Sequence, residues 1–380
     1  MTARWNRRDF LYGGAALSAA LAGPDLRGIL GAKLPEPVRA LVPGDALQVA
    51  GLIGELLKLE QEAKALRLPP SPLDFHLGQA AIVPDQLYQI AMPRLVALID
   101  RAERPAPILA EKAGGLLAKL HRSEYDPPDA WFAGGGSAPA AGLSFPSPQR
   151  PDRQAITADP DNEPPLSSAG PFDLPAGNLP QVEEILPPVA TTLKFEALAD
   201  EYAAWFAAAR IRPEFSESTQ WHLTMMMQSR SRYERLGKQL GIPWFFIAAT
   251  HGLEASFNFR AHMHNGDFPL TQRTRQVPAG RPSVWLPPSS WEASAADAMR
   301  LLGLTGQSDW SLPRCLYRLE AYNGFGYRRA GRASPYLWSF STLYSRGKYV
   351  ADGKFDPNAR SKQCGAAVML KLLDMAGALG

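Results

Sequence analysis

The segment from His251 to Asp267 collects side chains that can move protons, bind metal ions or hold polar ligands. They are His251, Glu254, Ser256, Asn258, His262, His264, Asn265 and Asp267. Among them, Glu254 follows a strongly apolar stretch, and apolar surroundings favour the protonated form of a carboxylic acid. An acid that stays protonated near neutral pH can give its proton to a reacting group. The position therefore predicts a general acid at Glu254, although a carboxylate there can also serve only to satisfy backbone groups.

The element that must position Glu254 is the stretch before it, Pro-Trp-Phe-Phe-Ile-Ala-Ala at 243–249. A helix that is apolar on all sides is enclosed by protein, and Pro243 suits its first turn. We expect this helix to carry Glu254 to the edge of a cleft, beside a loop over 257–288. A helix is also predicted over 217–240, with Ser216 as its N-cap and Gly241 after its end. Other predicted helices cover 291–302, 313–322 and 361–379, and one hairpin is allowed in the loops.

A resemblance follows from the order of these features. Gly-Ile-Pro-Trp at 241–244, the apolar helix, Glu254, Ser256 and Asn258 are arranged much as in the lysozyme-like superfamily, notably goose-type lysozymes and soluble lytic transglycosylases. The stretch 320–327, Glu-Ala-Tyr-Asn-Gly-Phe-Gly-Tyr, resembles the Ala-Tyr-Asn-Gly signature of the transglycosylases. Residues 195–380 also resemble bacterial wall-associated proteins with a Tyr-Asn-Gly-Phe-Gly-Tyr segment. In the transglycosylases Ser directly follows the acid, whereas Ala255 intervenes here.

The resemblance implies an enzyme, a peptidoglycan glycosidase that cleaves the N-acetylmuramyl to N-acetylglucosamine linkage with Glu254 as the general acid. Glycoside cleavage also needs a group that activates water or stabilises the transition state, for which Asp267 is the candidate. The sequence Asn-Gly-Asp at 265–267 is also typical of a turn, in which Asp267 would have no direct role in the reaction. If no base is needed, a hydroxyl of the substrate can close an anhydro ring, which is the transglycosylase route. The candidate substrate-binding residues are His251, Ser256, Asn258, Asn265, Tyr322, Asn323 and Tyr327.

Aromatic residues are dense after position 320, and rings with polar tips suit the faces of sugars. They are Tyr322, Phe325, Tyr327, Tyr336, Trp338, Phe340, Tyr344 and Tyr349. We expect two or three of them to meet solvent in the cleft, with Tyr322 and Tyr327 foremost. The others would then form the core of this part of the chain.

Two other functions compete with the glycosidase. A zinc-dependent hydrolase of the peptide stems of peptidoglycan is one, because His251, Glu254, His262 and His264 are all metal-ligand types. Their spacing matches none of the helical zinc motifs. The other is a non-catalytic module that binds the wall without turnover. The favoured glycosidase needs no cofactor and no metal.

The N-terminal residues have the features of an export signal. Residues 6–11, Asn-Arg-Arg-Asp-Phe-Leu, form a twin-arginine pattern, and an Ala- and Gly-rich apolar run leads to small residues at 20–22. We therefore predict a twin-arginine signal peptide over 1–23, with a periplasmic or cell-envelope location for the mature protein. A basic tail that leads into an ordinary helix is the alternative. No later stretch has the roughly 18 unbroken apolar residues of a membrane span.

Composition divides the rest of the chain. Residues 24–125 show helical spacing of apolar residues, with no visible chemistry. Residues 126–190 hold 14 of the 35 prolines and read as a Pro- and Gly-rich linker, or as an irregular loop fixed to one domain. Residues 191–380 form the predicted lysozyme-like catalytic domain. The fold class is α+β, mainly α.

Charge and cysteine content limit the partners. A net charge of +3 lacks the basic footprint of a nucleic-acid binder, so we expect glycan strands of peptidoglycan as partner and a monomeric protein. The two cysteines, Cys315 and Cys364, exclude a disulfide-rich scaffold. They can pair after export, but two buried free thiols are the favoured interpretation.

Overall fold

A computed structural model describes residues 44–70, 84–124, 186–351 and 354–379. This part of the chain is mainly helical, as predicted, and its only strands form one short hairpin. The twin-arginine segment lies outside the described residues, as does most of the predicted linker. Residues 186–190 of that linker are described. Trp205 Nε1 donates to the carbonyl of Pro187 (2.9 Å), and the Ala190 N–H donates to Glu201 (2.8 Å), so this end of the segment is fixed to the helices that follow.

Three helices form the N-terminal part: α1 (Gly44–Ala65), α2 (Pro84–Ala102) and α3 (Pro107–Glu124). Their facing surfaces are apolar, with fully buried side chains such as Leu56 and Leu98. A buried ion pair between Arg94 and Glu60 adds a polar link between α1 and α2. Helices in this region were predicted from apolar spacing, and that prediction is confirmed.

The C-terminal part contains nine more α-helices within the described residues, eight of them before a short hairpin. These eight are α4 (Ala199–Ala208), α5 (Ser216–Gln228), α6 (Arg230–Leu240), α7 (Trp244–Ala255), α8 (Trp291–Leu301), α9 (Leu312–Asn323), short α10 (Gly326–Arg329) and short α11 (Pro335–Trp338). The antiparallel hairpin of β1 (Lys348–Ala351) and β2 (Lys354–Asp356) follows, and then α12 (Ala366–Met375). No described helix combines the length and the apolar character that a bilayer crossing requires.

The predicted helix over 217–240 is wrong in one respect, because it is two helices. Ser229 accepts hydrogen bonds from the N–H groups of Arg232 and Tyr233 while its own N–H reaches Met225, so α5 ends and α6 begins there. Ser216 is the first residue of α5 rather than its N-cap. Gly241 does end α6, in the left-handed conformation (φ 69°).

The last helix is shorter than the predicted 361–379. Gly365 has extended backbone (ψ 150°) and packs closely on the carbonyl of Leu337, where an added Cβ would lie only 2.3 Å from the oxygen. The helix therefore begins after it, at Ala366, and Gly377 (φ 65°) follows its end. Small and apolar residues make α12 fully buried over most of its length, and it packs against α5, α7 and α11.

A buried ionic cluster joins α4, α9 and α10. Arg328 pairs with Glu201 (2.8 Å) and with Glu320 (2.8 Å), and Tyr202 donates a hydrogen bond to Glu320. Arg328 also donates to the carbonyl of Ala190. A planar guanidinium with several fixed donors suits this arrangement, because each carboxylate keeps a charged partner after it leaves water. The cluster fixes α9, whose end carries two of the candidate site residues.

Both cysteines are buried and unpaired, as the favoured interpretation predicted. Burial raises the pKa of the Cys315 thiol to about 12, so it stays protonated and unreactive.

Candidate functional site

Helix α7 is the element that delivers Glu254. Every residue from Phe246 to Ala255 is buried, which agrees with the prediction of an apolar helix enclosed by protein. Pro243 is its N-cap, and the helix ends where Ser256 (φ 50°) and Phe257 (φ 59°) both adopt left-handed backbone. Such conformations are uncommon for residues other than glycine and cost energy, so the surrounding contacts must hold this turn in place.

The Glu254 carboxyl group is almost fully enclosed, with 2% of the residue exposed, so the expectation that it lies at the edge of an open cleft is wrong. Tyr336 Oη donates a hydrogen bond to Oε1 (2.9 Å), and Oε2 is buried without a hydrogen-bond partner in the described part of the chain. Burial raises the pKa of Glu254 to about 8, and the bond from Tyr336 opposes this only in part. Glu254 is therefore mainly protonated at neutral pH, which is the state that a general acid needs.

Tyr322 and Asn323 end α9, which packs against α7. Tyr322 Oη donates to the carbonyl of Met263 (3.0 Å), and burial, together with the negative charge that Glu254 carries when ionised, raises the pKa of Tyr322 well above its usual value. Asn323 is buried, and its Nδ2 has no partner among the described residues. The structure thus brings the predicted acid close to the Tyr of the Tyr-Asn pair, 68 residues further along the chain.

The expectation that Tyr322 and Tyr327 meet solvent is wrong, since they are 8% and 1% exposed. Tyr327 accepts a hydrogen bond from the N–H of Tyr349 (2.9 Å) and packs edge-on against the rings of Tyr349 and Phe355. It therefore anchors the β1–β2 hairpin instead of lining an open cleft. Of the eight aromatic residues, only Phe325 and Tyr349 are partly exposed.

Asp267 and Asn265 hold the loop after α7 together. The Asp267 carboxylate accepts hydrogen bonds from the N–H groups of Arg275 (2.7 Å) and Gln276 (2.8 Å), from Asn265 Nδ2 and from Arg122 Nη2 (3.1 Å). Asn265 accepts the N–H of Asp267 and donates to two backbone carbonyls. A carboxylate with four donors has its lone pairs occupied, so this geometry favours a loop anchor over an activator of water.

Ser256 and Asn258 contact the N-terminal helix α3. His121 Nδ1 lies 2.8 Å from Ser256 Oγ, and Asn258 Nδ2 donates to the carbonyl of Gly114 (3.4 Å). Nothing in the sequence pointed to α3, because the contacting residues are 135 and 144 positions apart. The residues that surround Glu254 therefore come from both parts of the chain.

The histidines of the zinc hypothesis bind separate protein partners. His251 Nδ1 lies 2.9 Å from Tyr233 Oη, His262 contacts Ser294 and a backbone carbonyl, and His264 pairs with Asp297. Within the described residues, no three His, Cys, Asp or Glu side chains converge on one point. Burial also lowers the pKa of His251 to about 3, so it remains neutral inside an aromatic cage that includes Phe259 and Trp291.

The sequence missed the direct partner of the acid. Tyr336 stood among eight aromatic residues, and no spacing distinguished it from the others.

Comparison of the chain with protein-family models, with curated proteins and with solved structures finds no match.

Proposed function

We propose that this chain is a lysozyme-like peptidoglycan glycosidase that cleaves the N-acetylmuramyl to N-acetylglucosamine linkage. One observation carries the proposal. Glu254 lies at the end of a buried apolar helix, and burial raises the pKa of its carboxyl group to about 8. Two features support it. Tyr336 holds the carboxyl group in one orientation, and Tyr322 of the Ala-Tyr-Asn-Gly segment lies beside it.

The positions of the hydrogen bonds indicate which oxygen acts. Tyr336 Oη donates to Oε1, so Oε1 is the accepting oxygen of the neutral acid and Oε2 carries the proton. Oε2 gives this proton to the glycosidic oxygen while the bond from that oxygen to the anomeric carbon breaks, and the bonding electrons leave with the oxygen. Glu254 becomes a carboxylate, which the Tyr336 hydroxyl stabilises in a site that excludes water.

The oxocarbenium-like sugar is then captured by an oxygen nucleophile. Water would leave a reducing end, and a hydroxyl of the sugar itself would close an anhydro ring; in either case the nucleophile gives its proton to the Glu254 carboxylate, which restores the acid. Asp267 is fully hydrogen-bonded, and no charged side chain is among the causes of the Glu254 pKa shift. We therefore propose no second carboxylate for this step.

Access to Oε2 requires movement. Because 2% of Glu254 is exposed, a glycan reaches the carboxyl group only when the side chains around it shift. Our proposal therefore includes an opened state of the site, in which the glycosidic oxygen takes the hydrogen-bonding position that Oε2 now leaves unused.

The test is digestion of purified sacculi by the wild type, by Glu254→Gln and by the control Glu234→Gln, whose side chain is exposed on α6. Soluble products are identified by mass spectrometry. We expect fragments from the wild type and the control and none from Glu254→Gln, with reducing or anhydro ends reporting the route. Full activity of Glu254→Gln would refute the mechanism. Wall binding without products from the wild type would indicate a non-catalytic module.

We also propose export by the twin-arginine route to the periplasm or cell envelope, which the Arg7-Arg8 pair supports. Replacement of both arginines by lysine should leave the full-length chain in the cytoplasm of a bacterial host. Fractionation and immunoblotting measure this. Unchanged export of the double variant would contradict the proposal.

A further inference from the structure

The last turn of α3 reaches the end of α7, far from it in sequence. His121 is 2% exposed, and its Nδ1 lies 2.8 Å from the hydroxyl of Ser256, two residues after Glu254. Gly266 marks how tightly these groups pack. A Cβ added to Gly266 would lie 2.5 Å from the Glu254 carbonyl oxygen and 3.0 Å from His121 Cδ2. The imidazole ring, the loop and the backbone of Glu254 are therefore in close contact.

The carbonyl groups at the end of α7 need partners, because a helix leaves its last four without bonds inside the helix. Gly252 accepts the N–H of Ser256, and Leu253 accepts Gln363 Nε2 (3.2 Å). Two residues after Glu254, the hydroxyl of Ser256 lies 2.8 Å from Nδ1 of His121. The turn that follows the acid is thus held by a side chain of α3.

The ring of His121 is neutral near neutral pH. Burial, together with the charge of Arg122, lowers the pKa of His121 to about 3. A neutral imidazole has one N–H donor and one acceptor nitrogen, and a hydroxyl both donates and accepts, so the hydrogen bond between His121 and Ser256 needs no charge on the ring.

Helix α3 is docked firmly enough to hold this position. Arg122 pairs with Asp267 (3.1 Å), and Arg260 of the loop pairs with Glu111 (3.2 Å). The fit is also close, because a Cβ added to Gly114 would lie 2.9 Å from the ring of Phe268. Ion pairs and close packing therefore fix α3 against the loop that follows the acid.

We infer that His121 is a positioning residue for the proposed reaction, because it fixes the end of α7 and so the direction of the Glu254 side chain. This inference rests on the proposed function. It gives the N-terminal helices a role in the same site: they complete the support of the acid. Displacement of a catalytic group by about 1 Å is enough to slow a reaction strongly.

The test compares His121→Phe, which keeps a ring without nitrogen atoms, with His121→Gln, which keeps a donor and an acceptor. Glycan strands solubilised from purified sacculi are the substrate, and kcat, KM and the pH profile are measured. We expect His121→Phe to lower kcat about tenfold or more with a smaller change in KM, and His121→Gln to recover part of the loss. Lys119→Gln, on the exposed side of α3, is the control and should match the wild type.

The pH profile separates positioning from a general loss of structure. A loosened α7 end admits water to Glu254, and hydration lowers a pKa that burial has raised. The alkaline limb of activity should therefore move to lower pH in His121→Phe. If His121→Phe does not fold, Arg122→Gln, at a half-exposed position, tests the same docking and should move the limb in the same direction.

The outcomes are distinct. Full activity of Glu254→Gln would remove the proposed function itself, whatever His121 does. The positioning role alone would be overturned if Glu254→Gln is inactive while His121→Phe keeps the kcat and the alkaline limb of the pH profile of the wild type. Higher activity in His121→Phe or Arg122→Gln would also overturn it, because α3 would then obstruct the site.

Discussion

Replacement of Glu254 by Gln should stabilise the protein in alkaline solution and leave it nearly unchanged in acid. The reason is that the buried carboxyl group resists ionisation, with a pKa raised from 4.5 to about 8. The unfolded chain releases this proton near pH 4.5, whereas the folded chain keeps it until about pH 8. Stability of the wild type is therefore lost as the pH rises through this window. Gln does not ionise, and its amide oxygen still accepts the bond from Tyr336.

The magnitude follows from the width of the window. About 3.5 pH units separate the two pKa values, and each unit corresponds to about 1.4 kcal/mol. Between pH 5 and pH 8.5, Glu254→Gln should thus gain on the order of 4 kcal/mol relative to the wild type. For a domain of this size that corresponds to roughly 10 °C in Tm.

The assay is thermal unfolding of both proteins at pH 5 and at pH 8.5, followed by circular dichroism. Comparison at matched pH cancels every other titrating group. Glu234→Gln, at an exposed ion pair, is the control and should show little pH-dependent difference from the wild type. A Tm difference between Glu254→Gln and the wild type that is equal at both pH values would refute the reasoning, because Glu254 would then ionise normally.

Three further predictions concern the same helices. Tyr336→Phe removes a bond that stabilises the ionised form of Glu254, so the alkaline limb of activity should move up by roughly 0.5–1 pH unit; an unmoved limb would contradict the assigned contact. Arg328→Met leaves Glu201 and Glu320 buried without their cation and should cost about 3–5 kcal/mol in urea unfolding, against little for the exposed Arg329→Met. As the pH falls below 6.5, the free energy of unfolding should fall by up to roughly 4 kcal/mol per pH unit. The reason is that burial lowers the pKa of three histidines, so that these side chains bind protons in the unfolded chain but not in the folded one. Urea midpoints that stay constant from pH 7 to pH 5 would contradict this prediction. These histidines are His121, His222 and His251.

Local signals predicted the elements well where the sequence carries them. The apolar run at 243–249 marked α7, and Gly241 marked the end of the helix before it. Ser290 caps α8 through its side chain, which accepts the N–H of Ala293 (3.3 Å). Each of these depends on residues within one turn of the helix, so the sequence alone contains the information.

Contacts between distant residues were not predictable from one sequence. Tyr336 reaches Glu254 across 82 positions, and His121 reaches Ser256 across 135. The break at Ser229 also follows from the packing of two helices, since Ser is tolerated inside helices. Tertiary contacts decide such features, and no periodicity reports them.

The exposure of the aromatic residues was predicted wrongly for a physical reason. A tyrosine ring with a polar tip suits a sugar-binding surface, and it suits equally a core in which the hydroxyl finds a backbone partner. Tyr322 and Tyr327 lie in the core, where their hydroxyl groups form hydrogen bonds with backbone groups of Met263 and Tyr349. Composition cannot separate the two, because the difference lies in whether a partner is within reach.

The docking of α3 has a practical consequence for protein preparation. A fragment cut within 126–185 and kept from residue 186 onward would lose the guanidinium that faces Asp267 and the helix surface that covers Phe268. The Phe268 ring would then meet solvent, Asp267 would keep three donors from its own loop but lose its cation, and the left-handed Ser256 would lose its contact with His121. Such a truncated protein is expected to aggregate or lose its native turn, so a silent fragment would reveal nothing about the intact chain.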